Sequence, residues 1–146
     1  MNWKTEAMEK LRTYETMQAA LKNLPREISR LEEEYKAIGS QIFSGKSAGR
    51  NLRSREDGMI NNIVRRQELQ WSLDQAQQWM QTVSTALDVL EPEEVGILQQ
   101  LYICPKSDGI ERLCEKLHLE RSSIYRKRDS ALRKFTLALY GATESN

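Results

Sequence analysis

Apolar residues along this chain recur every three or four positions, the spacing that gathers side chains on one face of an α-helix. Met8, Leu11, Tyr14, Met17 and Leu21 mark such a face over residues 5–23. Pro25 follows and predicts a break, because proline removes a backbone donor and restrains the residue before it. Ile28, Leu31, Tyr35, Ile38 and Ile42 predict a second helix starting near Arg26. Its heptad seam is too short to stand without a partner helix. Residues 44–58 then read as a mobile linker rich in Gly and Ser. They carry Lys46, Arg50, Arg53 and Arg55 against Glu56 and Asp57, which makes the segment a candidate phosphate-binding arm. Leu69, Leu73, Ala76, Met80, Val83, Leu87 and Leu90 form the longest heptad run and predict a third helix over residues 59–90. Trp71 and Trp79 fall off that seam. The simplest arrangement packs the third helix on a hairpin of the first two, within one chain or across a dimer.

After residue 90 the pattern changes. Pro92, Glu93 and Glu94 suit a helix N-terminus and open a helix expected to reach Ile103. Asp108-Gly109-Ile110-Glu111 offers a capping box for the next helix. Leu113, Cys114 and Leu117 share one helical face, and Leu119 closes a short turn. Ile124, Ala131, Leu132 and Phe135 lie on one face of the last helix, which Gly141 should stop, with residues 142–146 as a frayed tail. Two short-linked helices with facing apolar stripes make a helix-turn-helix pattern. On the second of them Ser122, Tyr125, Arg126, Asp129 and Arg133 face outward. His118 occupies the turn, and His tolerates the left-handed backbone region better than most residues.

The fold class expected is therefore all-α: an N-terminal helical hairpin or coiled coil with a long central helix, then a C-terminal helix-turn-helix. The division falls at residues 1–90 and 91–146, the first part serving oligomerisation and the second DNA binding. No β-branched run argues for a sheet.

Charge sharpens the reading. The whole chain carries a formal +1. From Arg121 to Lys134, however, six basic residues stand against one acidic. From Glu91 to Glu120, seven acidic residues stand against three basic. DNA affinity follows where the cations lie, not the total. Other chemistry finds little support. Cys104 and Cys114 lack zinc-site spacing and companions, and His118 is the one histidine. No nucleophile–base set and no GxxxxGK[ST] cradle appears. The expectation is a non-enzyme with no cofactor and no metal. With no long apolar stretch and no apolar leader core, a cytoplasmic location and no membrane partner are expected.

Pro92-Glu93-Glu94, Val95, Leu98, Leu101-Tyr102-Ile103, Leu113-Cys114, Leu117, Leu119, Ile124-Tyr125-Arg126 and Ala131-Leu132-Arg133-Lys134-Phe135 together resemble region 4 of bacterial RNA polymerase sigma factors. More closely, the stretch is similar to the small sigma-region-4-like regulators of phages and prophages of Gram-positive bacteria. The resemblance covers about 50 residues. It implies a promoter-binding transcriptional regulator in a bacterial host, with double-stranded DNA as partner and RNA polymerase as a candidate one. Carried across, it implies that Arg121, Ser122, Tyr125 and Arg126 approach bases, with Ser123 beside them, while Arg128, Arg133 and Lys134 meet phosphates. A homo-oligomer, preferably a dimer, would let two copies read a repeated half-site. Two alternatives stay open: an oligomer like the small subunit of a phage terminase, which also binds DNA, and a helical protein-interaction adaptor.

Overall fold

Helical periodicity carries through to the computed structural model, which describes residues 2–45 and 49–143, and for Arg50 the backbone alone. Among the described residues there are six α-helices and no strand. They are α1 (Trp3–Arg12), α2 (Tyr14–Phe43), α3 (Arg50–Asp88), α4 (Pro92–Leu98), α5 (Gly109–Leu117) and α6 (Arg121–Tyr140). A π-helical turn over Gln99–Ile103 extends α4. No helix among the described residues is long and apolar enough to cross a membrane.

The chain clusters into two compact units, residues 19–77 and the remainder. In the larger unit, Ala7 and Leu11 of α1 are buried with Val83, Ala86 and Leu87 at the end of α3. Leu90, Leu98, Ile103, and Ala131, Leu132 and Phe135 of α6 complete that core. The N-terminal helix thus packs on α6, not on α2 in a hairpin. The Trp3 ring lies 4.8 Å from the Tyr140 ring, and Trp79 lies 6.4 Å from Tyr14. A second cluster joins Ile97 of α4 to Leu113 of α5 and Ile124 of α6.

In the smaller unit, α2 and α3 run antiparallel. The buried Asn62 amide donates to the Leu31 carbonyl at 2.8 Å, and Ile38 lies beside Gly58. Arg66 donates to Asn62 Oδ1 at 2.8 Å and stacks 4.9 Å from the Tyr35 ring centre. Leu31, Leu73 and Ala76 are buried, as their heptad positions predict.

Several boundaries differ from those expected, each for a physical reason. Pro25 does not end a helix but sits inside α2, at an exposed position, where it removes one ladder bond. The break comes at Thr13 instead. Its hydroxyl donates to the carbonyls of Glu9 at 3.0 Å and Lys10 at 3.2 Å, and such back-bonding bends helices. The linker expected over residues 44–58 is mostly helix, since α3 starts at Arg50. Gly58 costs roughly 1 kcal/mol of helix propensity, and lies where Ile38 approaches closely. Arg53 and Arg55 therefore sit on a helix, with Arg55 half-buried, and do not belong to a mobile arm. Lys46 and the Arg50 side chain lie outside the described residues.

The helix from Pro92 is regular only to Leu98; beyond it Cys104 N–H bonds to Gln99 O in the wider π pattern. Gly109 lies against this turn, where an added Cβ would sit 3.1 Å from Gln100 O. Asp108 caps α5 by position but makes no side-chain cap bond. Its carboxylate pairs with Arg112 at 2.7 Å, an arrangement that holds its carboxyl below the usual range. Gly141, at φ 71°, ends α6 as expected. Of the expected tail, residues 144–146 lie outside the described residues.

Candidate nucleic-acid interface

The turn between α5 and α6 is three residues long, 118–120. His118 takes φ 56° and ψ 42°, the left-handed conformation, and donates its N–H to Cys114 O. Leu119 N–H also reaches Cys114 O, at 3.2 Å. Glu120 is extended and starts α6 without a side-chain cap bond; Ile124 N–H bonds its carbonyl at 3.1 Å. Leu113 and Ile124 then meet Ile97, which fixes the two helices against α4.

This packing decides which side of α6 stays open. Ser122, Tyr125, Arg126, Asp129 and Arg133 are exposed, and Ser123 is half-buried. Arg126 and Arg133 lie seven residues apart, almost eclipsed on the helix and about 10 Å along its axis. Neither makes an ion pair among the described residues. The remaining cations of α6 are engaged. Arg121 pairs with Glu111 of α5 at 2.7 Å, Lys127 with Glu93 of α4 at 3.1 Å, and Lys134 with Glu94 at 3.0 Å. Arg128 pairs with Asp129 at 2.9 Å and stacks 4.9 Å from the Tyr125 ring centre.

Of the eight residues singled out from the sequence, four share one open face: Ser122, Tyr125, Arg126 and Arg133. Arg121 and Lys134 are tied to carboxylates of neighbouring helices. Arg128 is folded onto its own helix, where it compensates Asp129, and Ser123 turns partly inward. The exposed pairs Arg121–Glu111 and Lys127–Glu93 contribute roughly 0–1 kcal/mol, so a phosphate can displace those carboxylates at small cost, whereas the Glu94 side chain is only 13% exposed.

Sequence reasoning missed the acidic partners. Glu93 and Glu94 read as residues suited to a helix N-terminus. Each also reaches α6, 34 and 40 residues further on, through Lys127 and Lys134. No local signal announces contacts at that separation. Lys127, which stands where sigma region 4 commonly has an apolar residue, is exposed and paired. Burial acts to raise the Glu94 pKa. The Glu91 N–H, which it accepts at 3.0 Å, and Lys134 and Lys127 outweigh burial and hold the carboxyl below the usual range.

Among the described residues no group of three or more His, Cys, Asp or Glu could hold a metal ion. Cys104 and Cys114 are free. The Cys104 thiol donates to the Glu15 carboxylate at 2.7 Å, and this bond, with desolvation, pushes its pKa up, away from thiolate reactivity. No family model, no curated protein and no solved structure matches the chain.

Proposed function

We propose that this protein is a sequence-specific DNA-binding transcriptional regulator, in which α5, the turn at 118–120 and α6 act as a helix-turn-helix and α6 enters the major groove. The observation that carries this reading is the open face of α6. Two guanidinium groups without ion pairs among the described residues, Arg126 and Arg133, stand in line with Ser122, with Tyr125 at the edge of the same open face, on a helix whose opposite side is locked into the core. Arg bonds guanine edges in a bidentate manner, and hydroxyls bond bases of several kinds, so the set suits the major groove. Arg121, Lys127 and Lys134 flank that face; Arg121 and Lys127 would exchange Glu111 and Glu93 for phosphates, and Lys134 would meet a phosphate from beside the half-buried Glu94.

The resemblance to sigma-region-4-like regulators of phages and prophages supports the same role. It adds promoter DNA as target and RNA polymerase as a proposed partner in a bacterial cytoplasm. Pairing of two copies on a repeated site would double the base contacts. The heptad seam of α3 is buried within the chain at Leu73, Ala76, Val83, Leu87 and Leu90, so a dimer would need another surface.

Selection from a random double-stranded DNA library, followed by binding of the enriched site across a salt series, tests the reading. An enriched motif, relaxed by Arg126→Ala, with affinity falling steeply as salt rises, is the expected result. Absence of both enrichment and salt-sensitive binding would overturn it.

A further inference from the structure

The outer face of α3 in the smaller unit carries a pattern that the DNA reading does not use. Ile60, Val64, Gln67 and Trp71 fall within about 60° of arc on that helix, with Ile63 at the edge. All five are exposed, Trp71 at 66%. Val64, Gln67, Glu68, Trp71 and Ser72 line a shallow depression there. The inner seam of the same helix is already satisfied by Leu73 and Ala76, so this is a second stripe on one helix, not a misplaced core. A monomer gains nothing from exposing Trp, Ile and Val in helical register; such a stripe fits a groove-and-anchor contact with another helix.

Its borders identify the chemistry of the occupant. Glu56 and Asp74 flank one side of the stripe, Asp57 and Glu68 the other, and all four carboxylates are exposed. None of them makes an ion pair among the described residues; Asp74 accepts only from the Gln70 amide, at 3.1 Å. Of the nearby cations, Arg66 is spent on Asn62 and Tyr35, and Arg65 lies well round the helix from the stripe. Arg53 lies about two turns before Ile60. Two copies of this chain pairing here would bring carboxylates against carboxylates. Antiparallel pairing centred on the stripe brings Glu56 beside the copy's Asp74, and parallel pairing brings Glu56 beside the copy's Asp57. Like charges so placed disfavour a homodimer, whereas a cationic partner is favoured from both rims.

We infer that the Ile60–Val64–Trp71 face of α3 is a docking surface for a basic amphipathic helix of another protein. Trp71 is the central anchor. Glu56, Asp57, Glu68 and Asp74 pair with Lys or Arg on either side of the incoming apolar stripe. This inference stands independently of whether α6 binds DNA.

The probe is a labelled three-heptad synthetic helix with Leu at a and d and Lys at e and g, titrated with the full chain by fluorescence anisotropy. The same peptide with Glu at e and g is the control. The Lys peptide should bind with an affinity that falls with salt, and the Glu peptide should not. Trp71→Ala should weaken binding about tenfold or more, as expected for a central aromatic anchor. The double variant Glu68→Lys, Asp74→Lys should do the same while leaving the apolar anchors in place. Equal binding of both peptides would overturn the proposal. So would unchanged binding of the Lys peptide by both variants, or a dimer of the parent chain that Trp71→Ala dissolves.

Discussion

The outer faces of α6 and of α3 show opposite solutions on the same kind of helix. On α6 the apolar stripe of Ile124, Ala131, Leu132 and Phe135 is wholly buried, and the open side offers hydroxyls and guanidinium groups. On α3, between Glu56 and Asp74, a buried stripe is present too, yet the open side offers Trp, Ile and Val between carboxylates. The chemistry of one face suits a polar, anionic surface and that of the other an apolar, cationic one. A single short chain can thus present two recognition surfaces of opposite charge preference, and neither is visible in its near-neutral net charge.

The comparison is sharpest at two aromatic residues. Phe135 is 0% exposed in the core of the larger unit, so Phe135→Ala should cost about 3–5 kcal/mol in urea unfolding. Trp71→Ala should change stability by less than about 0.5 kcal/mol, the usual range for a surface site. A large loss at Trp71 would show that its face is structural and not a docking surface.

Two glycines sharpen it next. At Gly109 a Cβ would meet the Gln100 backbone carbonyl at 3.1 Å, and backbone gives way poorly, so Gly109→Ala should destabilise by about 1 kcal/mol or more. At Gly58 a Cβ would meet the Ile38 methyl at 3.8 Å, an ordinary contact. Gly58→Ala should therefore stabilise by about 0.5–1 kcal/mol through helix propensity. Thermal unfolding of the two variants should shift in opposite directions.

The acid limb of the stability curve isolates the α4–α6 contact. The folded pKa of Glu94 is held down, so its contribution is fully present above the unfolded carboxylate pKa and is lost as pH falls through the folded value. Unfolding free energy measured against pH should lose part of that slope in Glu94→Gln, and a slope identical to the parent's would refute the assignment. A small effect is also expected for Arg121→Ala. Its pair with Glu111 is more than half exposed on both sides, so the loss should stay under about 1 kcal/mol.

Much of this was legible in the sequence, and the exceptions are instructive. The helical class follows from three-four spacing. Pro92 at a helix start, His118 in a left-handed turn and Gly141 at a helix end each declare themselves through backbone chemistry. The buried positions of α6 follow from their register. Pro25 and Gly58 misled because local propensity is a weak prior that tertiary packing overrides: Pro25 costs one ladder bond in a long helix, and Gly58 costs about 1 kcal/mol in a helix packed on α2. The burial of α1 with α6 was not legible at all. Leu11 and Phe135 share one core across more than 120 residues of chain, and no periodicity encodes which stripe meets which. At the site, the open face of α6 could be read from the wheel. The pairing of Arg121, Lys127 and Lys134 with acids on α4 and α5 needed the fold.

The central claim is that the open face of α6 reads DNA while the open face of α3 does not. It is tested most directly by anisotropy titration of the library-selected duplex with the parent, Arg126→Ala and Trp71→Ala. The account predicts about tenfold or greater loss for Arg126→Ala, the value of one good bidentate base contact, and no change for Trp71→Ala. Equal affinity for the parent and Arg126→Ala, or a loss confined to Trp71→Ala, would contradict it.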